Sequence, residues 1–243
     1  MIFKLDMENY ILGRVITGIK GFDKLVDGGF PLGSIVLLSG QPGTGKTIFG
    51  LNYLFNGAKK FNERGVFITL EEDRNSLLEQ AKQFGWDLAK LERDGLLQLI
   101  TIRTFELKKG YMEQLFSKVE KFGAKRLVID SLSSLSIKIP TAYMKLNEVN
   151  DFAIRRFIYE FTDKLKDING ITTLLTQQSS ENLVDKSDLA EFMCDGVIKI
   201  SFEPMGGKYS RSLIVKKMRR TRNEEDIHPL EISKDGIVIH DIK

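Results

Sequence analysis

The chain has a single cysteine, Cys194, among 243 residues, so no internal disulfide can form. With no histidine near it in the sequence, Cys194 reads as a small packing residue. Only two histidines occur, His228 and His240, and their spacing does not suit a metal site. An excess of one charge is missing too. The 36 basic and 33 acidic residues leave a net charge of +3, a mixed surface rather than one basic face that grips nucleic acid. No apolar run approaches membrane-spanning length. Met1-Ile2-Phe3-Lys4-Leu5-Asp6 shows no basic segment leading into an apolar core, as a secretory signal would. No internal repeat or low-complexity segment is visible. The expectation is a cytoplasmic protein, and with 42% hydrophobic and 28% charged residues the default is one globular domain with a sizeable core.

What is present is an alternation of strand and helix patterns. Ile35-Val36-Leu37-Leu38-Ser39, Gly65 to Leu70, Leu96 to Ile102, Arg126 to Asp130 and Ile171 to Thr176 read as buried strands. Helix patterns lie between them, at Phe49 to Phe61, Asn75 to Phe84, Met112 to Phe122 and Phe152 to Leu165. This order predicts an α/β fold with a mostly parallel sheet and helices on both faces. The last quarter differs. Gly196 to Phe202, Ser212 to Met218, Pro229 to Ile232 and Ile237 to His240 read as successive strands, with a turn at Lys234-Asp235-Gly236. An antiparallel C-terminal extension is therefore expected. Residues 138–150, punctuated by Pro140, and the polar residues 179–190 read as loops.

Gly40-Gln41-Pro42-Gly43-Thr44-Gly45-Lys46-Thr47 matches G-x-x-x-x-G-K-T in full. Such a loop curls so that backbone N–H groups point at phosphate oxygens, and its glycines keep side chains out of the way. Lys46 would reach the β- and γ-phosphates of ATP, and the Thr47 hydroxyl is placed for magnesium. The helix that follows adds the partial positive charge of its N-terminus. An apolar strand before the loop and a helix pattern after it supply the context the mechanism requires. ATP or ADP, contacted from Gly40 through Ile48, and magnesium are the ligands this segment predicts.

Two further sites follow from strand ends. Arg126 to Asp130 is an apolar strand ending in a carboxylate. Asp130 would hold the magnesium, through a water, beside Thr47; the alternative is a strand-end aspartate that caps the next segment. Glu71-Glu72 ends another strand, at the edge where ligands bind in open parallel sheets. A carboxylate there could deprotonate an attacking water, or the pair, with Asp73, could cap the following helix.

The chain resembles the KaiC-like branch of the RecA-fold P-loop ATPases. The resemblance runs from about Thr17 to His240 and is carried by several segments. Thr17-Gly18-Ile19-Lys20-Gly21-Phe22-Asp23-Lys24-Leu25 leads into Gly28-Gly29-Phe30-Pro31-Leu32-Gly33, and Leu70-Glu71-Glu72 is followed by Phe84-Gly85-Trp86-Asp87-Leu88. It implies a RecA-like core over residues 17–243, preceded by a lead-in arm over 1–16. It also implies ATP hydrolysis in a hexameric ring with nucleotide between subunits. Glu71 would be the main water-activating carboxylate, supported by Glu72, with Lys46 on the phosphates. Lys217 and Arg219 would contact the neighbouring subunit's nucleotide. Strand alternation also places Lys217 and Arg219 on one face, and Lys216 and Arg220 on the other. A solvated basic strand end or a nucleic-acid patch is the other reading of this segment, since five of the seven residues from Lys216 to Arg222 are basic.

The sequence also departs from the family. Where clock members carry a phosphorylated serine and threonine ahead of the aspartate matching Asp195, this chain has Glu191 and Phe192, so autophosphorylation is not expected. Asn223 stands where members often have a nucleotide-touching histidine. Three functions compete: a slow ring ATPase that switches a protein partner, a RecA/RadA-like DNA-binding recombination or repair ATPase, and a nucleotide-dependent scaffold that scarcely turns ATP over, against which Glu71 and Glu72 count. In the second, residues 138–150 and 179–190 would form the DNA loops. The latter carries Glu181, Asp185 and Asp188 against Lys186 alone, which disfavours a phosphate backbone. The former offers Lys138, Tyr143 and Lys145.

Overall fold

The computed structural model describes residues 13–103, 110–143, 151–179, 184–203 and 210–242. Most of the expected lead-in arm, residues 1–12, lies outside them. Two short strands, β1 (Arg14–Val15) and β2 (Phe30–Pro31), pair antiparallel at the start. The chain then alternates through β3 (Ile35–Gly40), α1 (Lys46–Phe61), β4 (Gly65–Thr69), α2 (Arg74–Lys82), α3 (Leu88–Arg93), β5 (Leu97–Thr101), α4 (Tyr111–Phe122) and β6 (Arg126–Asp130). Next come α5 (Leu132–Tyr143), α6 (Asp151–Asp167), β7 (Thr172–Gln178) and α7 (Val184–Met193). Strands β8 (Gly196–Phe202), β9 (Arg211–Met218), β10 (His228–Ser233) and β11 (Gly236–Ile239) complete the described residues.

Among the described residues, nine strands form one sheet in the order β11-β10-β9-β8-β3-β7-β6-β4-β5. The run from β8 to β5 is parallel, and β9, β10 and β11 add antiparallel. The sheet thus has the expected parallel core and antiparallel extension. Strand β3 lies between β8 and β7, because the chain first fills one side of it and then crosses to the other. That makes the C-terminal end of β3 a topological switch point, where open α/β sheets bind ligands.

Side chains of β3 alternate between two cores. Val36 and Leu38 pack with α1, α2 and the antiparallel strands, while Ile35 and Leu37 pack with residues of α4, α5 and α6. The Phe84-Gly85-Trp86 corner is fixed by stacking: Trp86 lies 4.7 Å from the Phe84 ring and 5.4 Å from that of Phe55. Cys194 is fully buried, and desolvation pushes its thiol up to about 12, which suits a packing residue and no thiolate chemistry.

Two expected loops are in part helical. Helix α5 runs to Tyr143, past Pro140, and α7 begins at Val184. Apolar anchors explain both. Leu132 and Leu135 bury one side of α5, and Ala190 and Met193 bury the last turn of α7. The rest of these segments, residues 144–150 with Lys145 and 180–183 with Glu181, lies outside the described residues.

Candidate active site

The parallel strands end at one edge, and their registers align the site. Gly40 pairs with Gln178, and Thr69 pairs with Asp130. The glycine loop, Glu71, Asp130 and Gln178 are therefore neighbours, although up to 138 positions separate them in sequence. They line a cleft of about 390 Å³ with Pro42, Gly45, Thr47 and Arg211 among its walls, within the usual range of small-molecule pockets.

The loop itself is closed on the strand it follows. Gly43 and Gly45 have φ of +77° and +101°, which admit glycine at little cost. Gly40 is required for another reason: a Cβ there would stand 2.5 Å from the carbonyl oxygen of Ile200 on β8. Lys46 Nζ donates to the carbonyls of Gly40 at 2.8 Å and Gln41 at 2.9 Å. Burial lowers its ammonium pKa, while Asp130 and Glu71 oppose the shift. Arg211, at the start of β9, donates to the Gly43 carbonyl at 3.1 Å and lies over the Phe202 ring.

Thr47 donates its hydroxyl to Asp130 at 2.7 Å, and Thr176 donates to the other carboxylate oxygen. Burial pushes the Asp130 carboxyl above its ordinary range. The two threonine hydroxyls pull it back, and Glu71 and Glu72 push it further up. A hydroxyl and a buried carboxylate side by side are hard oxygen donors, suited to magnesium held by few protein ligands plus phosphates. Among the described residues there is no cluster of three or more His, Cys, Asp or Glu that could hold a metal by itself.

The two glutamates part company. Glu71 Oε1 accepts from Ser134 at 2.8 Å and from Ser131. Glu72 turns to α2, where its Oε2 accepts from Ser76 at 2.8 Å and from Gln80. The helix cap read as an alternative is supplied by Asp73, which accepts from the Ser76 N–H at 2.9 Å. Glu71 is thus free of the capping role and faces the cleft.

Lys217 and Arg219 lie elsewhere. Lys217 pairs with Val197, which pairs with Leu37, and the Arg219 N–H bonds to Asp195, whose N–H bonds to Ile35. The pair therefore lies toward the opposite ends of the strands, about 10 Å of strand from the level of Gly40 for Lys217 and about 16 Å for Arg219. Their side chains close the C-terminus of α7: Lys217 donates to the Glu191 carbonyl at 2.7 Å and Arg219 to that of Phe192 at 3.2 Å. Cations suit such an end. The expected separation of Lys216 from this face is corrected. A bulge between Val197 and Ile198 brings Lys216 to the same side, where it pairs with the Glu191 carboxylate at 2.7 Å. One extra residue flips the alternation. Asn223 holds the Val215 carbonyl at 3.0 Å, a tie within the fold.

Several residues of the site escaped the sequence reading. Thr176 sits inside an apolar strand, and its only mark is polarity near the strand end. Ser131 and Ser134 follow Asp130 at a helical spacing, a signal that was there to be used. Arg211 had none.

Comparison with known proteins bears on the whole chain. Residues 15–243 match a protein-family model described as ATPase: KaiC. A UPF0273 protein of Methanocaldococcus jannaschii is 33% identical, over 93% of this chain and 96% of its own length. The circadian clock oscillator protein KaiC of Synechococcus elongatus is 30% identical over 96% of this chain, which spans 45% of that protein. A crystal structure of a KaiC-like protein from Pyrococcus horikoshii superposes with a TM-score of 0.81 at 34% identity, covering 94% of this chain and 99% of the other.

Proposed function

The chain belongs to the KaiC ATPase family, and from that premise we propose that it is a slow, magnesium-dependent ATPase. In this reading it binds ATP between the subunits of a hexameric ring and uses hydrolysis to switch a protein partner. The observation that carries the proposal is the meeting, at one sheet edge, of Lys46, the Thr47–Asp130 pair and Glu71. Backbone N–H groups of the Gly40 to Ile48 segment take the phosphates, and Lys46 leaves its two loop carbonyls for the β- and γ-phosphate oxygens. Thr47, and Asp130 through a water, would hold magnesium, which would supply positive charge to offset that of the phosphates. Glu71 accepts a proton from a water whose oxygen attacks the γ-phosphorus, while the bond to the β–γ bridging oxygen breaks. ADP and inorganic phosphate leave. Glu72, anchored on α2, steadies the segment that carries Glu71.

Lys217 and Arg219 complete the site from the next subunit. Their place on the far edge supports this, since neither can reach the phosphate loop of its own chain. In the same reading α7 yields its carbonyl bonds when they turn to the neighbour's γ-phosphate. The DNA-binding alternative is weakened by the sequence of residues 179–190, where Glu181, Asp185 and Asp188 stand against Lys186 alone. The clock proteins' own activity is not carried over, because this chain spans under half of them and has Glu191 and Phe192 at the matching positions.

Turnover of ATP with magnesium tests the proposal. Glu71→Gln is expected to bind ATP normally and lose about a hundredfold in kcat. Lys46→Ala is expected to lose ATP affinity. Wild-type turnover no faster than that of Glu71→Gln would remove the hydrolytic role, and unimpaired ATP binding by Lys46→Ala would remove the site.

A further inference from the structure

We infer that Ser134 is a positioning residue that sets the direction of the Glu71 carboxylate and so the rate of ATP hydrolysis; this rests on the role given to Glu71 above. Glu71 is exposed at the end of β4, so packing does not select its rotamer. An unrestrained glutamate samples many rotamers, and ordering it costs side-chain entropy. It also stands between two clefts. One holds Lys46, Thr47 and Asp130. The other is lined by Asp73, Arg74, Asn75, Thr101, Ile102 and Arg103. Without a restraint the carboxylate is able to turn into the second cleft, away from the water it must deprotonate.

Helix α5 prevents that. Ser134 Oγ donates to Glu71 Oε1 at 2.8 Å, and Ser131 Oγ donates to the same oxygen. Ser134 is in turn fixed by its own N–H, which donates to Ser131 Oγ at 3.2 Å. One turn further along, Lys138 ties the helix to the Leu70 carbonyl at 2.8 Å. Both hydroxyls therefore fall on Oε1, and Oε2 is left for the water. Loss of Ser134 then has a consequence that loss of a merely structural serine would not have: a carboxylate that wanders, so that kcat falls while ATP affinity holds.

The experiment measures kcat and KM for ATP hydrolysis in wild type, Ser134→Ala, Ser134→Thr and Glu71→Gln, with ATP affinity and thermal unfolding followed alongside. Ser134→Ala is expected to fold normally, keep its ATP affinity within about twofold, and lose about tenfold in kcat, the low end for a hydrogen bond to a charged group. Ser134→Thr is expected to restore the rate. Wild-type kcat in Ser134→Ala, with Glu71→Gln inactive, would overturn the inference while leaving the role of Glu71 intact. A fall in ATP affinity matching the fall in kcat would also overturn it. If Glu71→Gln hydrolyses ATP like wild type, the reading beneath it is what fails.

Discussion

Asp130 carries opposed demands at the scale of one residue. It must be charged to hold a cation, yet it is buried, and Glu71 and Glu72 stand close by. Its pKa in the folded chain lies above that in the unfolded chain. Between those two values the folded protein holds the proton that the unfolded one has released, so stability falls as pH rises past the ordinary aspartate value of about 3.9. Asp130→Asn removes that loss and can keep both threonine contacts. Without magnesium and nucleotide, its melting temperature at pH 7 is expected to exceed that of the wild type. The gap should close toward pH 3, where the carboxyl is neutral in both states, and ATP turnover should be lost throughout. Differential scanning calorimetry across that range measures the sign directly. A wild type that melts above the variant at pH 7 would show that the hydroxyl contacts outweigh burial.

Among elements, β6 is held at both ends by polar groups, for different purposes. Asp130 ends it in the candidate site, and Arg126 begins it in the interior, 1% exposed. Arg126 pairs with Glu63 at 2.5 Å and donates to the carbonyls of Tyr53 at 3.0 Å and Ile16 at 2.8 Å. It also lies over the Tyr53 and Phe61 rings. One side chain thereby ties together α1, β6 and the segment that follows β1. Gly57 is the room this needs, since a Cβ there would stand 2.4 Å from Arg126 Nε. Glu63→Ala strands a buried charge, and is expected to lower unfolding stability by about 3–5 kcal/mol in urea titrations. A loss under about 1 kcal/mol would mean that the carbonyls and rings suffice for Arg126. In the sequence this arginine reads only as the first residue of an apolar strand.

For the whole molecule, the two edges of the sheet divide the proposed chemistry. One edge carries the phosphate loop and Glu71, and the other carries Lys217 and Arg219. A division across subunits predicts complementation. Glu71→Gln and Arg219→Ala should each be inactive alone. When the two are mixed as equal amounts of monomer and assembled with ATP, about a quarter of the interfaces pair intact halves, and turnover should return to about a quarter of wild type. Arg219 acting within its own chain would give no recovery. Native mass measured with and without ATP identifies the assembly in which the recovery occurs.

The parallel core, the antiparallel extension and the phosphate loop were legible in the sequence because each rests on local pattern: apolar runs, turn residues, and glycines spaced for a phosphate. Asp130 and Glu71 were legible because strand ends in a parallel sheet share one edge. Tertiary structure decided the rest. Only the packed sheet shows that Thr176 shares Asp130 with Thr47, that Ser131 and Ser134, just before and within α5, grip Glu71, and that a bulge in β9 turns Lys216 toward α7. These depend on registers between strands distant in the chain, and a shift of one residue, as at the bulge, reverses which face a side chain takes.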